Sequence, residues 1–262
     1  MIYINSWYGR LGNNITQIVN AIYFAHYKKI KIIKFPYHSC LLTKEIIIED
    51  IILENNINGS KIFSHIFFSR HKIISFYKIS EDIFKNKIDI KKYLSNILIY
   101  DNLNEKINNE DLVIHVRSGD VYDQLPHSGW IQPPLNFYEK IIESNKWEKI
   151  YLICEDNNPP VIKPLLNKYK NIIFKLRDLQ HDIYYIVNAK NICFGMGSFT
   201  PALLLLNKNI KTIYYPQYCH RYLIDLLDHK ERKVYTLKNY IKKGEWKNTK
   251  EQIKIILNYK IE

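Results

Sequence analysis

Apolar and polar positions alternate over residues 1–6, which predicts a first strand. A glycine loop, Tyr8-Gly9-Arg10-Leu11-Gly12-Asn13-Asn14, follows it. Ile15, Ile18, Val19, Ile22 and Ala25 then recur at helical spacing and predict a helix over 13–28. Residues 30–35 read as a second strand, and 40–100 as short helices and strands with little punctuation. Residues 112–116 form a compact apolar run, the signature of a strand buried on both faces. Beyond it the chain predicts a helix over 135–144 behind Pro133-Pro134, and a strand over 149–154. A helix from Pro159-Pro160 to 169 and a strand over 172–175 come next. A helix over 182–188, a strand over 191–194, a helix over 201–206 and a strand over 211–215 complete the pattern.

Strand, loop and helix in repetition describe a parallel sheet wrapped by helices. One series starts at residue 1 and another near 110. The expected architecture is α/β with two Rossmann-like halves facing a cleft, residues 1–109 and 110–262. No internal repeat or low-complexity linker interrupts them.

Composition narrows the classes. The 262 residues are 47% hydrophobic and 24% charged, a globular balance with enough chain to bury substantial cores. No apolar stretch has the roughly 18–20 uncharged residues of a spanning helix. The segment Met-Ile-Tyr-Ile-Asn-Ser-Trp lacks a charged n-region and a cleavage site, so no secretory signal is expected. Cys40, Cys154, Cys193 and Cys219 are widely spaced, which argues against a disulfide scaffold or zinc ribbon and for a reducing cytoplasm. The net charge is +12, yet only six of 38 basic residues are arginine. Ile, Asn, Lys and Tyr crowd the chain as an AT-rich genome would write them, so part of the charge is codon bias. The remainder attracts anions. Where lysine is the default, each arginine is informative.

Six of the eight glycines fall in four short segments. Gly9-Arg10-Leu11-Gly12-Asn13 stands between a strand and a helix, where backbone N–H groups suit an anion; a tight turn needing glycine for geometry alone reads equally well. In His115-Val116-Arg117-Ser118-Gly119-Asp120, His115 and Arg117 share one strand face and emerge at the carboxyl end, where open α/β sheets bind ligands. Arginine's fork matches phosphate oxygens, and Asp120 holds the arginine or the turn; a structural Arg–Asp pair is the alternative. Gly195, Gly197, Ser198, Phe199 and Thr200 make a second small-residue loop before a helix. Asp182 is placed to accept N–H groups of a nucleobase, to fix a loop, or to cap its helix.

These three islands, in this order, resemble the fucosyltransferases. Gly9-Arg10-Leu11-Gly12-Asn13 is similar to their GRxGNQ opening, with Asn14 in place of glutamine. His115-Val116-Arg117-Ser118-Gly119-Asp120 is similar to their HxRxGD motif, with Ser118 where the α-1,2 branch often has a second arginine. Asp182-Ile183-Tyr184-Tyr185, Ala189, Phe194-Gly195 and Ser198-Phe199-Thr200 resemble their C-terminal motif, although Pro201-Ala202-Leu203-Leu204 replaces a Trp-rich tail. The resemblance, over residues 9–205, is to the α-1,2- and protein O-fucosyltransferase superfamily. It implies a GT-B-like fold and inverting, metal-independent transfer from a nucleotide sugar, usually GDP-fucose. It implies that Arg117 contacts the β-phosphate, His115 the nucleoside side and Asp182 the guanine. Ser198, Phe199 and Thr200 would line the phosphates, and Arg10, Gly12 and Asn13 would close the site.

Leaving-group charge needs stabilisation, and no DxD pair stands in a suitable loop; Asp120 and Asp123 are spaced D-x-x-D. Arg117, with Arg10 and helix N-termini, is the expected source of positive charge. Asp123, His127 and Glu155 are candidate bases for the acceptor hydroxyl, each also readable as a surface loop residue. Tyr122 and Trp130 are candidates to stack on sugar rings or to anchor local packing. The tail over 229–262 carries ten Lys/Arg and four Glu, and reads as a peripheral contact with anionic membrane or as a solvated helix. The expected protein is a cytoplasmic glycosyltransferase, peripheral on the inner face of a bacterial inner membrane. It would use a GDP-sugar donor and no cofactor or metal, and act on a glycan or lipid-linked glycan of the cell surface. A related enzyme using GDP-heptose or another deoxyhexose is the first rival. A nucleic-acid-binding protein is the second, although the chain lacks arginine clusters and aromatic residues interleaved with a basic stripe.

Overall fold

A computed structural model of the protein describes residues 1–41, 45–48, 62–63, 66–219, 222–227 and 231–262. The chain divides into two compact units, 1–100 and 101–262.

The first unit holds a four-stranded sheet. Strand β1 (Ile2–Tyr3) pairs in parallel with β2 (Ile32–Lys34) and β4 (Ile62–Phe63), and β3 (Glu45–Ile47) runs antiparallel on the outside of β2. Helix α1 (Leu11–Lys28) is buried from Leu11 to Ala25 except at Asn13, which is half-buried. Its buried faces include Asn14, Thr16, Gln17 and Asn20, and each amide has work: Gln17 and Asn14 tie the preceding loop, and Asn20 Nδ2 donates to Phe67 O at 2.7 Å. Lys29 ends the helix in the left-handed conformation, φ 55°. Two short helices, α2 (Arg70–Tyr77) and α3 (Ile90–Leu94), complete the unit, capped by Ser69 and Asp89.

The second unit is a six-stranded, wholly parallel sheet. Its strands are β5 (Leu112–His115), β6 (Ile150–Ile153), β7 (Ile172–Phe174), β8 (Asn191–Phe194), β9 (Thr212–Pro216) and β10 (Glu231–Tyr235), in spatial order β10-β9-β8-β5-β6-β7. Helices α4 (Leu135–Glu143), α5 (Ile162–Lys168), α6 (Leu179–Asn188), α7 (Phe199–Leu204) and α8 (Lys250–Asn258) connect or cover them. Strands β6, β8 and β9 are buried at every position, as apolar runs in a doubly covered parallel sheet should be. All four cysteines are buried, and none is in a disulfide. Among the described residues no helix is long and apolar enough to cross a membrane.

Among the described residues the sheet of the first unit is small and mixed, with strands of two or three residues. Three expectations need correction. Strand β9 does not close the series, because β10 adds a parallel edge from Glu231-Arg232-Lys233-Val234-Tyr235, charged as an edge strand needs to be. The tail is therefore not a free helix. Trp246 is fully buried, its indole N–H donating to Val121 O at 2.9 Å, and Ile256 of α8 is buried in the same core as α4. Helix α6 also begins earlier, at Leu179, with the Asp178 side chain accepting from His181 N. Asp182 lies inside its first turn and is not the cap.

Candidate functional site

Numbered within its own unit, the six-stranded sheet has the order 3-2-1-4-5-6. The chain therefore turns one way after β5 and the other way after β8, and these neighbours part at their carboxyl ends. That switch point is where open α/β sheets leave a crevice for ligands. Two of the glycine segments singled out in the sequence, residues 115–120 and 195–200, occupy it.

The segments meet at Arg117. Its Nη2 donates to Asp120 Oδ1 and Oδ2 at 3.2 and 3.4 Å, and its guanidinium lies 4.3 Å over the Trp130 ring. Gly197 has φ +134°, and a Cβ there would stand 2.9 Å from Arg117 Nη1. Glycine at 197 thus serves both backbone and neighbour: only a residue without Cβ takes this conformation cheaply and leaves the guanidinium its place. A carboxylate and an aromatic face orient a half-buried arginine, which makes a fixed donor fork rather than a mobile charge.

His115 joins the same segments a second time. Its Nδ1 is 2.7 Å from Thr200 Oγ1 and its ring packs on Phe199, centroids 5.3 Å apart. Burial, with Arg117 nearby, pushes the imidazole down to about 3, so it is neutral at physiological pH. The site's cation is then Arg117 and not His115. Thr200 is buried on the histidine, Phe199 covers it, and Ser198 stands half-buried at the head of the six-residue α7.

The loop after Arg117 is fixed from two directions. The Asp156 carboxylate, beyond the end of β6, accepts from the Ser118 hydroxyl, from Gly119 N at 3.2 Å and from Asn158 N at 2.8 Å. From the tail, Trp246 holds Val121 O, and Asn248 Nδ2 donates to Tyr122 O at 2.7 Å and Asp123 O at 3.3 Å. Local sequence pattern singles out neither Asp156 nor the tail anchors Trp246 and Asn248. A carboxylate directly after a strand, Glu155-Asp156, was the available signal for the first.

Asp182 is half-buried near the ends of β6 and β7. Burial pushes its carboxyl up to about 7; Arg177 and His181 oppose the rise, and Asp178 and Glu155 add to it. Arg177 is held in turn over Tyr185, 4.6 Å from the ring centroid. The remaining candidates are more open. Asp123 and His127 are exposed; His127 Nδ1 accepts from Gly129 N at 3.1 Å and its ring lies 5.1 Å from that of Trp130. Glu155 is exposed as well. Trp130 packs on Arg117 and Tyr122 on Trp246, so both rings act as local anchors.

In the first unit, Arg10 is exposed at the head of α1, Asn13 is half-buried and Gly12 is buried, its carbonyl accepting from Thr16 Oγ1 at 2.8 Å. Gly9 has φ +71°, and a Cβ there would meet Asn13 Nδ2 at 2.4 Å, so this loop also needs glycine at that point. Arg70 turns inward to Asn20 Oδ1 at 3.2 Å and lies 4.6 Å over Phe84; Arg232 holds Asp225 and two carbonyls. Of these arginines, Arg117 is the one set at the switch point.

Asp101, Asp178 and His181 place their ligand atoms within 4.8 Å of one another, the one such group among the described residues. Helix capping and an Asp178–His181 contact of 2.7 Å account for it. No protein-family model matches the chain, and no curated protein or solved structure matches it either.

Proposed function

We propose that the protein is an inverting, metal-independent, GT-B-like glycosyltransferase that moves a sugar, fucose in the first instance, from a GDP-sugar to a hydroxyl of a bacterial surface glycan. The observation that carries this reading is Arg117, oriented by Asp120 and Trp130 into the space that Gly197 leaves at the switch point of a doubly wound sheet. A departing nucleoside diphosphate gains negative charge, and an immobilised guanidinium in a partly desolvated crevice stabilises it without reorganising. His115, neutral and tied to Thr200, serves as an uncharged wall toward the nucleoside. Asp182 takes the N–H edge of the base. Asp123 and His127, exposed on the loop that Asn248 anchors, remain the candidates for the acceptor's base.

The enzyme would work on the cytoplasmic face of the membrane. Its tail contributes surface lysines for an electrostatic contact, since the apolar Ile256 of α8 is already buried. A thermal-shift comparison of GDP, UDP, CDP and their sugars tests the reading. At 100 times its Kd a ligand adds about 2.7 kcal/mol, so GDP should raise Tm and CDP should not. Protection by none of them, with a salt-sensitive shift of an oligonucleotide instead, would put the nucleic-acid reading in its place.

A further inference from the structure

Outside the switch-point crevice the second unit has a pocket of about 280 Å³, set between α4, the carboxyl end of β10 and the segment that follows α8. None of the residues assigned above to the donor lines it. Two of its walls are tyrosine rings, and each is held before any ligand arrives. Tyr235 meets the buried Phe137 edge-on, with centroids 5.3 Å apart and planes at 86°. Tyr259 meets the buried Tyr240 at 4.8 Å and 62°, and its hydroxyl donates to Lys238 O at 2.7 Å. Val234, the edge-strand residue before Tyr235, adds an apolar wall and is 41% exposed. Rings immobilised in advance lose little further freedom when a flat partner packs on them.

Charge narrows that partner. Lys140, half-buried on α4, also lines the pocket. The carboxylates nearest it along the helix are engaged elsewhere. Glu139 accepts from Lys168 Nζ at 2.9 Å, and Glu143 accepts from Lys168 Nζ at 2.8 Å and from the Tyr169 hydroxyl at 2.6 Å. Among the described residues nothing pairs with the Lys140 ammonium. At the rim Lys238 and Glu262 lie 3.5 Å apart and offset each other, which leaves Lys140 as the uncompensated charge of the lining. The Thr236 hydroxyl adds a neutral donor. We infer that this pocket binds a small aromatic anion, its ring packed on Tyr235, Tyr259 and Val234 and its carboxylate or phosphate on Lys140 and Thr236. The volume lies just under the roughly 300–1,000 Å³ of sites for drug-sized ligands, room for one ring and its substituent but not for a sugar nucleotide. Binding there does not depend on glycosyl transfer.

Saturation-transfer NMR and calorimetry on the full chain, with benzoate, phenyl phosphate, benzyl alcohol and acetate as probes, test the inference. Benzoate and phenyl phosphate should bind saturably, about tenfold more tightly than benzyl alcohol at low salt, and should lose that margin at high salt. Acetate, which has the charge without the ring, should bind about tenfold more weakly than benzoate. Lys140→Met keeps the stem and removes the charge, and should bring both aromatic anions to the benzyl alcohol level. Val234→Trp fills the pocket from an edge strand and should abolish binding with Tm unchanged; Lys140→Met decides the matter if the tryptophan variant folds poorly. Arg117→Ala should leave benzoate binding as it is. No saturable binding of either aromatic anion, benzyl alcohol or acetate binding as tightly as benzoate, affinities that survive Lys140→Met, or benzoate binding lost in Arg117→Ala would overturn the inference. Benzoate binding that depends on Lys140, in a protein that GDP fails to protect, would sink the glycosyl-transfer reading and leave the pocket standing.

Discussion

Gly197→Ala should weaken binding of pyrophosphate and of GDP alike, and should do so through Arg117. Two costs are separable. The first is conformational: φ +134° is a region that side-chain-bearing residues rarely enter, and holding alanine there costs about 1–3 kcal/mol of stability. The second is steric. The new Cβ would lie 2.9 Å from Arg117 Nη1, closer than such contacts are tolerated. The guanidinium is the end of a flexible side chain, so it moves rather than unfolding the loop. Moving, it leaves the positions set by Asp120 at 3.2 Å and by Trp130 at 4.3 Å. A charge-assisted hydrogen bond to phosphate is worth about 1.5–3 kcal/mol, so binding should fall roughly 10- to 150-fold. A double-mutant cycle by calorimetry, with denaturation measured alongside, separates the costs. In an Arg117→Ala background Gly197→Ala should still lower Tm but should cost no further affinity for pyrophosphate. Equal affinity losses in both backgrounds, or none in either, would refute the argument that this glycine exists for this arginine.

Arg117→Lys should keep the fold and lose most transfer activity, by about 2–4 kcal/mol of leaving-group stabilisation, because lysine keeps the charge without the fork; near-wild-type turnover would remove the phosphate assignment. Transfer should survive EDTA, since the proposed positive charge is a side chain; activity that chelation abolishes and Mg²⁺ or Mn²⁺ restores would contradict that mechanism. Trp246→Ala should destabilise the second unit by about 3–5 kcal/mol, as loss of a fully buried indole does, and should weaken GDP binding through the loop at Val121. A variant with unchanged Tm would show that the tail is not part of that core.

The second unit was the more legible one, for a physical reason. Strands buried on both faces read as apolar runs, and β5, β6, β8 and β9 fall within one or two residues of where those runs lie. Edge strand β10 carries three charges in five residues and has no such run; only pairing with β9 makes it a strand. The sequence pattern starts helix α6 at Asp182 because its apolar period begins at Ile183, while its cap, Asp178, precedes a first turn that is polar after Leu179. At the site, scarcity carried the signal: an arginine among lysines and glycines in a glycine-poor chain marked 117 and 197. What local pattern could not show is how partners distant in sequence meet. Asp156 lies 37 residues from the Gly119 amide it holds, Trp246 lies 125 residues from Val121, and the buried amide of Gln17 looks in sequence like any polar position on a helix.

Asp182 joins the base-recognition proposal to a measurable proton. In the free protein burial holds its carboxyl at about 7, so near pH 6 most molecules carry the proton. A guanine edge offers two N–H donors and needs the ionised carboxylate, so GDP binding must expel that proton. UDP and pyrophosphate make no such demand, though they share the titration of the terminal phosphate. The affinity of GDP relative to UDP should therefore rise about tenfold per pH unit up to about pH 7 and level off above it. Calorimetry in buffers of different ionisation enthalpy should find close to one proton more released with GDP than with UDP near pH 6, and none near pH 9. Stability carries the opposite sign. A carboxyl whose folded value is raised binds its proton more tightly folded than unfolded, so its contribution is present at low pH and is lost as pH climbs from about 4 to about 7. Asp182→Asn should then leave stability near pH 3 almost unchanged, raise it near pH 8, and abolish the GDP-specific proton release. A GDP-to-UDP ratio that is flat with pH would release Asp182 from the base and leave a nucleotide-sugar site whose selectivity lies elsewhere.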